Sequence, residues 1–186
     1  SVAINYSRSA AEAEETAAEV VKLGARGFAF QADVADDAAC RALVDATVRE
    51  LGRVDVLVQS AGVTSFIAHA NLDAVTSEDW QRILGVNLIG AFQMARAVRT
   101  PMQAAGAGVI VNVSSVNGMR SFPGVLAYCS SKSALDQLTR CSALELAAKG
   151  VRVNAVSPGV VVTELHRQAG LNEEAYNAFL ERSKTT

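Results

Sequence analysis

The sequence predicts an α/β fold in which a parallel sheet is covered by helices on both faces. Three observations lead there. Half of the 186 residues are apolar, enough to fill a sizeable core. Strand-like runs such as Val54–Val58 and Val109–Val113 are nearly continuous in Val, Ile and Leu, whereas strands with one face in water alternate apolar with polar residues. These runs take turns with longer stretches of helical composition, the order of strand–helix–strand units.

Val2–Tyr6 reads as the first strand. Ser9, with Glu12 three residues on, has capping-box spacing, and an Ala- and Glu-rich helix follows to Leu23, with Gly24 as its stop. Gly27–Ala32 is the second strand. Asp36 caps a helix through Leu51, closed by Gly52. Val54–Val58 is the third strand and ends in Gln59-Ser60-Ala61-Gly62. Thr76, with Asp79, caps a long helix expected from Ser77 through Ala105, interrupted near its end by Pro101. Val109–Val113 is the fourth strand. A loop with Gly118, Pro123 and Gly124 leads to a helix from Ala127 to Ala148, stopped by Gly150. Val151–Val156 is the fifth strand, broken by Pro158-Gly159, and Asn172 caps a last helix over Glu173–Glu181. No repeat, low-complexity tract or linker interrupts the series, so residues 1–186 are expected to form a single domain.

Composition narrows the partners. The net charge is −2 and no basic cluster stands out, which argues against nucleic acid or an anionic membrane surface. No apolar run approaches the roughly 18 residues that a membrane-spanning helix needs, and no signal peptide is visible. The chain opens SVAINYS, without Met and already inside a strand, which reads as a truncation. Cys40, Cys129 and Cys141 form no CxxC pair and read as free thiols of a reducing, cytoplasmic compartment. His69 and His166 have no companions at ligand spacing, so no metal is expected.

In open parallel sheets, ligands bind beyond the carboxyl ends of the strands. The residues found there are Tyr6-Ser7-Arg8, Asp33 and Val34, Ser60-Ala61-Gly62, Ser114-Ser115 and Ser157-Pro158-Gly159. Gly62 lets a ligand approach the backbone closely. Asp33 reads equally as an acceptor for an amino group and as a residue that starts the next helix. Tyr128 and Lys132, four apart, share one helix face, and a serine at a strand end can face them across a crevice. Gly106 and Gly108 make a GxG, but it precedes a strand instead of following one and carries no phosphate-binding expectation.

Taken together, Tyr128-x-x-x-Lys132, Ser115 thirteen residues before the tyrosine, Asn87 in Val86–Gly90, Ala61-Gly62 and Pro158-Gly159 resemble the short-chain dehydrogenase/reductase family. The likeness is to its 3-oxoacyl-carrier-protein-reductase-like branch and spans essentially the whole chain. It implies a Rossmann-type doubly wound sheet. It also implies a further strand and glycine-rich loop, absent from this sequence, with that strand between Val2–Tyr6 and Val54–Val58, so residues 1–186 make a partial dinucleotide-binding domain. The resemblance implies Tyr128 as general acid/base and Lys132 as the charge that favours its phenolate. Ser115, in preference to Ser114, holds the substrate oxygen, and Asn87 holds water that connects Lys132 to solvent.

A hydride carrier is also implied, because no side chain supplies a hydride. NAD users of this family tend to carry an acid at the end of the second family strand. Here Tyr6, Ser7 and Arg8 stand there, which favours NADP over NAD, with Arg8 available to a phosphate. Asp33, Val34, Ser60, Ala61, Gly62, Tyr128, Lys132, Pro158, Gly159, Val161 and Thr163 complete the implied cofactor contacts. The family's Asn-Asn-Ala-Gly is Gln59-Ser60-Ala61-Gly62 here, which leaves the support of the third strand to be accounted for. Reduction of a carbonyl, foremost a 3-oxoacyl thioester or similar β-keto compound, is the leading expectation. An alcohol, steroid or sugar dehydrogenase, or an inactive dinucleotide-binding regulator or scaffold, is the alternative. Phe122, Leu126, Leu165 and Phe179 suggest an apolar pocket lining and read equally as core or lid packing. The long helices resemble those that pair subunits in family dimers and tetramers, so a homo-oligomer is expected.

Overall fold

The computed structural model describes residues 1–67, 71–163, 165, 169–170 and 172–183. Strands β1 (Val2–Tyr6), β2 (Gly27–Gln31), β3 (Val56–Gln59), β4 (Gly108–Val113) and β5 (Val151–Val156) alternate with helices α1 (Ala10–Lys22), α2 (Asp37–Leu51), α3 (Ser77–Leu84), α4 (Ala91–Ala104), α5 (Leu126–Ala147) and α6 (Glu173–Ser183). Every strand pairing is parallel. All five strand ends that carry polar residues therefore fall at carboxyl termini.

Local chemistry accounts for most boundaries. The Asp36 carboxylate accepts from the amides of Ala38 and Ala39 and starts α2, while Gly52 ends it at φ 85°, a conformation open to glycine. Thr76 and Asp79 form the reciprocal capping box that begins α3. The same spacing fails at α1. Ser9 lies at φ −86°, ψ 64°, its side chain makes no cap, and the Ser9 carbonyl merely receives the Ala13 amide. Strand β3 starts at Val56, two residues later than expected, although the Asp55 carbonyl already receives the Val109 amide.

The long helix expected from Ser77 to Ala105 is three pieces. Between α3 and α4 lies a π-helical turn, Gly85–Gly90. Such a turn inserts one residue into the helical count and re-aims the side chains around it. Pro101 does not break α4, which continues to Ala104.

The core joins α2 and α4 to β4 and β5. It contains Cys40, Leu43, Val44, Met94, Val98, Met102, Ile110, Val151 and Val153. A fully buried aliphatic side chain of this kind contributes about 1.5–3 kcal/mol. Gly108 is required by this packing, because a Cβ there would meet the Met102 side chain at 2.5–2.8 Å.

The strands do not form one continuous sheet. β1 pairs with β2, and β3-β4-β5 form a second sheet. A cavity of about 1010 Å³ is lined by Ser1–Asn5 on one side and Val54–Ala61 on the other, with Met94, Val98 and Leu135 among its other walls. Val56 and Val58 are 56% and 60% exposed. The opening lies where the resemblance implies one more strand.

The third strand is nonetheless firmly tied to its neighbour. Gln59 Nε2 donates to Asn112 Oδ1 on β4 (2.8 Å), Asn112 Nδ2 donates to Thr139 Oγ1 on α5 (2.8 Å), and Thr139 Oγ1 donates to the Leu135 carbonyl (2.8 Å). Gln59 thus supplies the support that the departure from Asn-Asn-Ala-Gly put in question. Gln59→Leu would leave the buried Asn112 oxygen without its donor, a loss of about 1–3 kcal/mol. Urea unfolding should show that loss as a lower midpoint at unchanged slope; a change below about 0.5 kcal/mol would refute a supporting role.

Candidate active site

Strand β4 delivers two serines, and the structure gives them different tasks. Ser114 Oγ donates to the Lys132 carbonyl at 3.4 Å and so faces helix α5. Ser115, with extended backbone, accepts from the Asn117 amide at 3.1 Å and caps the short 3-10 turn Val116–Gly118. Its side chain is near enough to the Tyr128 phenol to act on its titration. The turn is held from outside by Val116 N–H donating to the Pro158 carbonyl at 3.0 Å.

Helix α5 carries Tyr128 and Lys132 one turn apart. Lys132 is 4% exposed. Its Nζ donates to the Val113 carbonyl at the end of β4 (2.7 Å) and lies 5.7 Å from the centre of the Tyr128 ring. Burial pulls the ammonium down to about 8, an effect that Asp136 opposes. Burial pushes the Tyr128 phenol above its ordinary value, partly offset by the nearby Ser115 hydroxyl. The ammonium donates to Val113, and burial is the largest influence on the phenol.

Asn87 comes from the π turn and is 1% exposed. Its Oδ1 accepts from the Val63 amide (2.8 Å), and its Nδ2 donates to the Val63 carbonyl (2.9 Å) and to Ser131 Oγ (3.0 Å). A Cβ built on Gly62 would stand 3.6 Å from Asn87 Oδ1 and 3.8 Å from Lys132 Nζ. Gly62, Asn87 and Lys132 therefore share one wall. On its other side the same stretch braces the loop after β2. Gly90 packs against Val34, and Gln93 Nε2 donates to the Val34 carbonyl at 3.0 Å.

The remaining expected residues line the other strand ends. Tyr6 closes β1, and Ser7 and Arg8 are exposed. Gln31 Nε2 steadies that turn by donating to the Ser7 carbonyl at 3.1 Å. Asp33 is exposed, and one carboxylate oxygen accepts from the Ala35 amide at 2.9 Å, while Val34 is buried. Ser60 and Ala61 are exposed beyond β3. Gly159 has open space beside its Cα. Val161 and Thr163 are exposed, and the Thr163 carbonyl accepts from the Tyr176 hydroxyl at 3.4 Å. The structure gathers Ser115, Tyr128, Lys132, Asn87 and Gly62 into one group; among the described residues, no hydrogen bond or ion pair joins Tyr6, Arg8 or Asp33 to it.

A family model for short chain dehydrogenase matches residues 1–174. The chain belongs to this family. This short-chain dehydrogenase is 36% identical, over 96% of its length, to a 3-oxoacyl-acyl-carrier-protein reductase of Synechocystis sp., of which it covers 70%. It is 42% identical over 73% of its length to the 2-(R)-hydroxypropyl-CoM dehydrogenase of Xanthobacter autotrophicus and covers 54% of that protein. A solved gluconate 5-dehydrogenase from Burkholderia cenocepacia, in complex with NADP and tartrate, superposes with a TM-score of 0.82 at 32% identity, over 97% of this chain and 69% of that one. The chain thus spans between 54% and 70% of the length of these proteins. Members of the family are oxidoreductases.

Two residues of this short-chain dehydrogenase escaped the sequence reading: Ser131 bonds Asn87, and Ser133 Oγ donates to the Gly118 carbonyl (2.6 Å). Only the position of the two serines on either side of Lys132 gave a signal. Of the expected apolar lining, Phe122 and Leu126 are largely exposed, and Leu165 and Phe179 are half-buried. Phe179 meets Phe66 and Phe122 edge-on, at 6.2 and 6.4 Å between ring centres. Among the described residues, no cluster of His, Cys, Asp or Glu is placed to hold a metal. His69 and His166 lie outside the described residues. No described helix is long and apolar enough to cross a membrane.

The buried ammonium leaves a signature in stability. Lys132 titrates near 8 when folded and near 10.5 when unfolded. Between those values the unfolded chain holds the proton that the folded chain has released, so stability rises with pH there. Below about 8 the cost of burying the charge is present in full. The unfolding free energy of the native protein minus that of Lys132→Met should increase by about 1 kcal/mol from pH 8 to pH 9. Taking the difference cancels Cys40, which burial raises to about 11 and which acts with the opposite sign. A flat difference over that interval would contradict the assignment.

Proposed function

We propose that this site reduces a carbonyl to a hydroxyl with a nicotinamide dinucleotide, NADPH in preference to NADH, on a 3-oxoacyl thioester or similar β-keto compound. The observation that carries the reading is the convergence of the Ser115 hydroxyl and the buried Tyr128 phenol, with Lys132 Nζ 5.7 Å from the centre of the tyrosine ring. A carbonyl oxygen placed between the two hydroxyls accepts from both, and the charge that grows on it is stabilised there. Tyr128 is held neutral by burial, so it carries the proton that the oxygen takes up. The phenolate left behind is countered by Lys132 across the short span between Nζ and the ring. Asn87 keeps the loop after β3 in place beside that ammonium.

The residues at the strand ends fit a dinucleotide. A Cβ on Gly62 would stand at ordinary contact distance from Asn87 and Lys132, and Gly159, Ser60 and Ala61 present open, uncharged surface. When bound, the reduced cofactor supplies a hydride to the carbonyl carbon. The absence of an acid at Tyr6-Ser7-Arg8 and the exposed Arg8 support NADPH, because an acid there would repel a 2′-phosphate. Exposed Met119, Phe122 and Leu126 between Ser115 and Tyr128 support an apolar portion in the substrate.

Tyr128→Phe should lower kcat for NADPH-dependent reduction of a β-keto thioester by about a thousandfold or more, while NADPH still binds in a fluorescence titration. In the native enzyme kcat should decline above a pH of about 8, as Lys132 loses its proton. Activity within tenfold of native in Tyr128→Phe would overturn the mechanism. The cofactor assignment has its own test. Tyr6→Asp combined with Arg8→Ala should move the ratio of kcat/KM for NADPH over NADH at least tenfold toward NADH, and an unchanged ratio would sink it.

A further inference from the structure

Asn87 has no free polar hydrogen and only one orientation. Val63 offers it both an N–H and a carbonyl, so Oδ1 must face the first and Nδ2 the second. The second Nδ2 hydrogen goes to Ser131 Oγ at 3.0 Å. Ser131 must accept that bond, so its own hydrogen goes to the Tyr128 carbonyl at 2.7 Å. The result is a chain of donors with one direction, from the π turn through Ser131 into the turn of α5 that bears Tyr128. Ser131 is fully buried, at 0% exposed. The next residue along the helix is Lys132, whose Nζ and the Asn87 amide both lie within 4 Å of the space beside Gly62. Three successive α5 side chains thus grip three different segments: Ser131 the loop after β3 through Asn87, Lys132 the end of β4, and Ser133 the turn after Ser115.

We infer that Ser131 is a positioning residue, which seats the Tyr128–Lys132 turn against the loop after β3 and so keeps both groups in line with Ser115. The inference rests on the reading of Tyr128 and Lys132 as the reacting pair. Ser131 itself touches neither substrate nor the ammonium. Without its hydroxyl, a buried Nδ2 hydrogen loses its partner, and the vacated space admits water beside Lys132. The titratable groups that act on Lys132 are Tyr128 and Asp136 of the same helix. From β4, the loop after β3 and the π turn, the facing groups are the Val113 carbonyl, Gly62 and Asn87, all uncharged. Water at this point would ease the desolvation that holds the lysine down.

The test compares Ser131→Ala and Ser131→Cys with the native full-length enzyme, using NADPH and an acetoacetyl thioester. For Ser131→Ala the expected result is a kcat reduced about 10- to 100-fold with KM within about threefold. The alkaline decline of kcat should move to higher pH, and exchange of the Val63 amide hydrogen should become faster. Ser131→Cys, nearly the same size and a weak donor, should recover part of kcat and most of the native pH profile; it also carries the test if the alanine variant does not fold. Native kcat and an unmoved pH profile in Ser131→Ala would overturn the inference. So would a loss of kcat with the pH profile unmoved and no recovery in the cysteine variant, because that is a structural defect alone. Native activity in Tyr128→Phe is the separate result that removes the underlying reading.

Discussion

A buried ammonium is the constraint on which the site depends. Lys132 sits where water does not reach, and a charge so placed must be solvated by the protein. The parallel sheet provides the means. At the carboxyl end of β4 the Val113 carbonyl is no longer needed by a neighbouring strand and is free to receive Nζ. The face of the Tyr128 ring and the more distant Asp136 add to that attraction. Burial acts on Tyr128 in the opposite sense, so two groups one turn apart are both driven toward neutrality by the same lack of water. Polar contacts around them hold α5 rigid enough for that balance to persist.

Much of this architecture was legible in the sequence. Strands of Val and Ile were recognised because burial on both faces leaves a continuous apolar run, and β5 was bounded correctly at Val151 and Val156. The caps at Asp36 and Thr76 followed from side-chain chemistry that acts over two or three residues. Ser9 had the same spacing as Thr76 but a backbone that turns its hydroxyl away, and no local pattern distinguishes the two. The π turn was hidden for a related reason. One inserted residue leaves composition unchanged, and its partners, Val63 and Ser131, are 24 and 44 residues from Asn87. Ser115 was separable from Ser114 by spacing to Tyr128, whereas the difference in their surroundings, one hydroxyl turned to the helix backbone and the other to the turn that it caps, is a matter of three dimensions.

Gln59 illustrates how a departure from a family pattern is absorbed. Compared position by position, a glutamine in place of asparagine reads as a loss. In the folded chain its amide reaches Asn112 across the β3–β4 pair, and Thr139 completes the link to α5. The helix that carries the tyrosine and lysine is therefore joined to β3 twice, once through this chain beneath the site and once through Asn87 and Ser131 beside it.

The π turn has a further consequence. The stretch from Gly85 into α4 meets the loop after β2 at Val34, through Gly90 and Gln93, and the loop after β3 at Val63, through Asn87. The π turn and the start of α4, continuing one into the other as a rod, are thus the gauge that sets how far apart these two loops stand. Neither can drift without bending the rod or breaking a buried hydrogen bond, so a long ligand laid across the strand ends meets a cleft whose span is measured out in advance.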